Sequence, residues 1–126
     1  MKRLIIAIAL FSAACILCLT GSSLLKSTNE QLDSILTQGI ECAVRQDETG
    51  TLRCNQELTA QWRRFQTIFA VMIQHSHLDD FERQINILSC YLEEKDYKQY
   101  IEASYAAKNE LAHIMESERV TIGNIF

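Results

Sequence analysis

From Leu4 to Leu25 the chain carries no charged residue, and Lys26 closes the run. Wound as an α-helix, this stretch reaches roughly 33 Å, enough to cross a hydrocarbon core of about 30 Å. Backbone amides in lipid must be bonded within their own segment, so a span of this length is expected to be helical. Apolar density is highest from Leu4 to Leu19. Thr20-Gly21-Ser22-Ser23 is softer, and Leu24-Leu25 extends the run. Lys2, Arg3 and the free amine precede it, while Lys26 is soon offset by Glu30. The positive-inside rule then puts the N-terminus in the cytoplasm and residues 27–126 across the membrane.

A signal peptide has the same basic start and apolar core. Ser12-Ala13-Ala14 before Cys15 is the best cleavage site, but it leaves only Leu4 to Phe11 as apolar core. Cleavage there would put Cys15 first, as in lipoproteins, yet Ser12 stands where an aliphatic residue is usual. The uncleaved anchor is the leading reading, with cleaved signal and lipoprotein as alternatives. All three place residues 27–126 outside the cytoplasm.

The outer part has the length of one domain and can bury a core. It contains no proline, where average usage would give about six in the whole chain. Its only glycines are Gly39, Gly50 and Gly123. So few breakers among many Glu, Gln, Leu and Ala argue for long helices. With Lys2, Arg3 and Lys26 set aside, nine basic residues face 16 acidic ones. Net charge therefore gives no attraction to nucleic acid or anionic lipid. Neither an internal repeat nor a low-complexity segment is apparent. The expected fold is all-α: an N-terminal transmembrane helix (residues 1–26 with its cytoplasmic start), then an antiparallel bundle of three to four helices over residues 27–126.

Ser27-Thr28-Asn29-Glu30 has the form of a capping box. Leu32, Ile35, Leu36, Ile40 and Ala43 then recur on one helical face. The same helix can instead run straight out of the membrane. Asp47-Glu48-Thr49-Gly50 reads as the first turn, with Gly50 free to take a positive φ. The second helix is marked by Leu58, Trp62, Phe65, Phe69, Met72 and Ile73. Ser76, with Asp79 three residues on, reads as the next cap. Leu78, Phe81, Ile85, Leu88 and Leu92 form a seam at spacings of three and four. Glu93-Glu94-Lys95-Asp96 is a polar turn, and Asp96 with Gln99 repeats the capping pattern. The last helix is expected from Tyr97 through Ile101, Ala107, Leu111, Ile114, Met115 and Ile122. Folding about turns near 77 and 95 would gather Trp62, Tyr91, Tyr97 and Tyr100 at one end, as a core layer or as a binding pocket.

His75, His77 and His113 fall at similar levels under that folding, near Asp79 and Glu116, and suit a metal by residue type. Helical angles oppose the idea. His113 is on the outer face relative to Leu111, and His75 and His77 flank opposite sides of their helix. Caps and exposed polar residues are the plainer reading of all three. Cys42 and Cys54 lie six residues before and after position 48, so a hairpin brings them face to face. A bridge needs Cα atoms about 4.4–6.8 Å apart, whereas packed helices sit about 8–10 Å apart. The Cys42–Cys54 disulfide therefore stays open. Cys90 is the odd cysteine, and Cys15-Ile-Leu-Cys18 has a redox spacing but sits in the apolar run. Hydrolase, zincin, P-loop and dinucleotide signatures are all missing. Glu93-Glu94, Asp79-Asp80 and Arg63-Arg64 read as solvated polar faces.

Trp62, Phe65 to Ile73, His75-x-His77-Leu78-Asp79, the Ile85/Leu88 seam, Leu111-x-His113-Ile114-x-Glu116-x-Glu118 and the terminal Asn124-Ile125-Phe126 together resemble an uncharacterised bacterial family. It is catalogued as domain of unknown function 4363. The resemblance covers nearly the whole chain. It implies a small protein of mostly Gram-positive bacteria, with an N-terminal hydrophobic segment and a helical outer part, and it brings no activity, cofactor or catalytic residue. The expectation is a non-enzymatic, membrane-anchored accessory or interaction subunit, held by residues 4–25 and binding a protein partner. A ligand or metal sensor is the alternative. No cofactor is called for. The apolar tail from Val120 to Phe126 would pack on the bundle or dock on a partner.

Overall fold

A computed structural model describes the backbone of residues 1–72 and 75–125, and side chains there except at 22, 68, 69, 71, 72, 75 and 117–125. Four helices follow one another: α1 (Lys2–Val44), α2 (Glu48–Met72), α3 (His75–Glu93) and α4 (Tyr97–Ile125). Each packs on its chain neighbour, and α4 closes the ring against α1. The short links make neighbours antiparallel. The all-α expectation holds, with four helices in the bundle, the first of which is also the apolar one.

No break separates the apolar run from the bundle. α1 is 43 residues long and continuous, a rod of roughly 64 Å. Of the two expectations at Ser27, the helix that runs straight on from the apolar run is the one that holds, and the cap does not form. Ser27 and Glu30 are exposed mid-helix residues, and Thr28 and Asn29 between them are buried. A capping sequence stops no helix when both flanks are apolar and helix-forming. Core packing begins at Leu25 and continues through Leu32, Ile35, Leu36, Ile40 and Ala43, all buried. The α3 seam from Leu78 to Leu92 is buried throughout, as are Leu58 and Trp62 of α2 and Ala107, Leu111 and Ile114 of α4. Phe65, Ile101 and Met115 pack partly buried against this core. The side chains of Phe69, Met72, Ile73 and Ile122 lie outside the described residues.

The two turns at the far end share one geometry. Gln46 (φ 61°) and Lys95 (φ 58°) take the left-handed conformation, so Gly50 is not the turn residue. Behind them, Asp47 N–H bonds Cys42 O (2.8 Å) and Gln46 N–H bonds Ala43 O (3.1 Å). Asp96 N–H to Tyr91 O (2.9 Å) and Lys95 N–H to Leu92 O (3.1 Å) repeat that pattern. Both turns are Schellman closures that satisfy the helix-end carbonyls. Each is followed by an aspartate cap: Asp47 Oδ1 accepts from Gly50 N–H (3.0 Å) and Asp96 Oδ1 from Gln99 N–H (3.2 Å). The second cap matches expectation. The repeat itself, absent from the sequence as read by residue identity, links positions 46 and 95.

The α2–α3 fold is centred earlier than expected. Asn55 Nδ2 donates to Ser89 Oγ (3.1 Å), and Trp62 meets Phe81 with ring centroids 4.7 Å apart. Both pairs centre near residue 72 rather than 77. α3 already starts at His75, so Ser76 sits inside its first turn instead of capping it. Polar groups inside the core set register. Asn29 Nδ2 donates to Leu111 O (3.0 Å) from α1 to α4, and Asn29 cannot slide one turn without losing that partner.

Candidate functional site

The first candidate surface is the outer half of α1. Leu4, Ile5, Ile6, Ile8, Leu10, Phe11, Ile16, Leu17 and Leu19 each leave more than half their surface uncovered. Leu10 is 67% exposed, against 1% for Leu36 on the same helix. The helix carries a window of mean hydropathy 2.6 with none of it buried inside the molecule. It is the one helix among the described residues long and apolar enough to cross a membrane. Isolated surface leucines need no explanation, but a stripe of this extent does.

The aromatic residues are not gathered at one end. Trp62 packs against Phe81 with the rings tilted by 60°, while Tyr97 sits beside Glu48 at the start of α2, many residues from Trp62. The displaced α2–α3 fold is the reason. Burial, then the charge of Glu48 and a hydrogen bond to it, push the Tyr97 phenol up. Glu48 also meets Lys95 at 3.8 Å, tying the two far-end turns together at an exposed pair. Tyr91 is half-buried against the core.

The histidines come together only in part. His77 Nδ1 lies 3.6 Å from Glu110 Oε1, joining α3 to α4. His113 is exposed, as its helical angle requires. His75's side chain lies outside the described residues. Among the described residues no three metal-ligating side chains converge. Glu93, Glu94, Arg63, Arg64 and Asp79 are exposed, and Asp80 pairs with Arg83 at 3.5 Å.

A second, buried cluster sits beneath the α1–α2 turn. Cys42 and Cys54, both thiols, are neighbours across the α1–α2 interface, Cys42 against Gly50 of α2 and Cys54 against Gly39 of α1. Cys54 is buried and Cys42 half-buried. Tyr100 of α4 reaches the same place. It is fully buried, hydrogen-bonded to Ser104, and close enough to sense both thiols. Loss of hydration pushes its phenol up to about 12, the thiols adding to the rise while Ser104 opposes it. Two glycines make the room. A Cβ at Gly39 would collide with the Tyr100 hydroxyl and lie 3.5 Å from Cys54 Cβ. A Cβ at Gly50 would lie 3.0 Å from Cys42 Sγ and 2.8 Å from Asp47 Cγ. Sequence reading paired the cysteines but missed Tyr100 and the glycines. The spacing of Gly39 and Gly50 around the turn was the available signal. Cys90 is exposed on α3, and Cys15 and Cys18 lie on the apolar half of α1.

A shallow groove beside the turn is lined by Ile40, Glu41, Val44, Arg45 and Tyr105, with Val44 and Tyr105 well exposed. Next to it Lys108 bridges α4 to α1, donating to Thr37 Oγ1 (2.8 Å) and lying 4.0 Å from Asp33. Residues 120–125 belong to α4, while their side chains and all of Phe126, on which the packing or docking of the tail turns, lie outside the described residues.

No curated protein and no solved structure matches the chain. A family match does extend over residues 19–125, taking in the last turns of the apolar run and the whole bundle. The chain belongs to the family described as domain of unknown function (DUF4363).

Proposed function

We propose that this protein is a single-pass membrane subunit, with its N-terminus in the cytoplasm and its helical bundle on the outer side, acting by binding another protein. The observation that carries the reading is the continuity of α1: one helix carries large uncovered apolar side chains through Leu19 and places one face in the bundle core from Leu25 onward. Lipid is the solvent that suits the first half, and the charge bias of Lys2 and Arg3 orients it. The second half is one wall of the bundle. The membrane therefore holds the bundle directly, without a flexible linker between them. Tethering raises the effective concentration of any partner in the same membrane, so a modest contact suffices. The exposed Val44 and Tyr105 at the far end are the apolar contact such a partner would use.

Membrane extraction combined with protease protection tests this. The protein is expected to resist alkaline extraction, with residues 27–126 digested by protease added outside and an N-terminal tag protected. Release by alkali, the reverse protection pattern, or a mature N-terminus after Ala14 or later would each overturn it.

A further inference from the structure

The structure assigns a thiol–disulfide exchange site to the α1–α2 corner: Cys42 is the entry thiol for a low-molecular-weight disulfide, and Cys54 is the resolving thiol that closes the bridge. Four observations converge on it. The Cys42 side chain lies near enough across the α1–α2 interface to push the Cys54 thiol up. They differ in access, Cys42 being half-buried and Cys54 only 8% exposed. Arg45 aims Nη2 at Cys42 Sγ from 3.8 Å, placing a cationic N–H donor where negative charge resides when that sulfur attacks or is attacked. Gly39 and Gly50 strip bulk from the helix faces opposite Cys54 and Cys42 respectively, permitting the close approach that a bridge demands. An ordinary helix pair keeps its axes about 8–10 Å apart, and the missing side chains at Gly39 and Gly50 are the local feature that lets this pair approach more closely.

Burial pushes the Cys54 thiol up, Cys42 and Glu57 add to the rise, and Arg53 opposes it. Cys54 is thus poorly placed to meet an oxidant first and well placed to react with a neighbour already on Cys42. The exchange balances in two steps. The Cys42 thiolate attacks one sulfur of RSSR, forming Cys42–S–S–R and releasing RS⁻. Cys54 gives its proton to water and attacks Cys42 Sγ, forming the Cys42–Cys54 bond and expelling the second RS⁻. The protein loses two protons and two electrons, and RSSR becomes two RSH. The product ties the end of the membrane helix to α2.

The test uses the full chain in detergent, exposed to oxidised glutathione, quenched with acid, alkylated and mapped by mass spectrometry. Wild type is expected to yield a linked Cys42–Cys54 peptide. C54S should trap glutathione on Cys42. C42S should leave Cys54 as a thiol, at least about tenfold slower to react than Cys42 in C54S. Circular dichroism establishes that both variants are folded, and exposed Cys90 serves as a reactivity reference. Separate adducts without the linked peptide in wild type, or Cys54 in C42S reacting as fast as Cys42 in C54S, would overturn the assignment.

Discussion

The two halves of α1 belong to one helix yet meet different solvents: residues 4–24 carry 13 Leu, Ile and Ala, and residues 25–44 carry six. The large apolar side chains from Leu4 to Leu19 leave more than half their surface uncovered, whereas residues 25–44 show one apolar face to the bundle and a polar face to water. What separates them is the amount of hydrophobicity and its angular distribution. A helix apolar all round needs an apolar surrounding, and a helix apolar on one stripe needs a partner along that stripe. A single unbroken helix can satisfy both because nothing at the boundary, neither proline nor a left-handed residue, interrupts it.

The largest effect should come from moving the wrong chemistry into each half. Leu36→Asp puts a carboxylate in the core and should unfold the bundle, removing its thermal transition while leaving the chain in the membrane. Leu10→Arg should do the converse. At about 2.5–3.5 kcal/mol against insertion, it should release a fraction of the protein from the membrane and leave the bundle's melt unchanged. If either variant changes both readouts alike, the halves are not independent.

Alkali should separate them next. The folded chain holds the Tyr100 proton more tightly than the unfolded chain does, with a pKa of about 12 against 10.0. That stabilisation is complete below pH 10 and is lost as pH rises through 12. It amounts to up to about 3 kcal/mol, read as a falling melting temperature. Tyr100→Phe should flatten this alkaline decline. No tyrosine lies in residues 4–24, so membrane retention should not follow the same curve.

A smaller effect is expected from Gly39→Ala, whose methyl meets the Tyr100 hydroxyl. Overpacking of this kind costs about 1–3 kcal/mol, and adding Tyr100→Phe should restore part of it in a denaturant melt. The smallest effects belong to the caps. Asp47→Ala and Asp96→Ala should each cost about 1 kcal/mol, nearly equally, since the two turns share one geometry.

Much of this was legible from residue spacing. Leu78-Phe81-Ile85-Leu88-Leu92 is a seam in sequence and a buried stripe in space, because a three-four repeat has one way to bury itself. The turns were harder. Glycine was the obvious left-handed residue, but Gln46 and Lys95 take that role, and the strain of a non-glycine there is offset by the Schellman bonds. Ser27 and Ser76 resemble caps because local sequence favours capping, yet both sit inside helices that tertiary packing extends past them. Misplacing the α2–α3 fold by five residues was enough to put Trp62 at the wrong end. The thiol–tyrosine cluster was out of reach because it depends on where α4 lies against α1, a long-range register fixed by contacts such as Asn29 with Leu111.

The central claim is that one rigid helix passes from membrane to bundle. Nitroxide labels placed by unnatural amino acids at exposed positions 12 and 38, in lipid bilayers, test it by pulsed dipolar spectroscopy. An unbroken α1 predicts a single narrow distance near 39 Å before allowance for label length, from about 1.5 Å per residue. A broad distribution, or one centred well below that value, would mean a hinge between the halves and contradict the account.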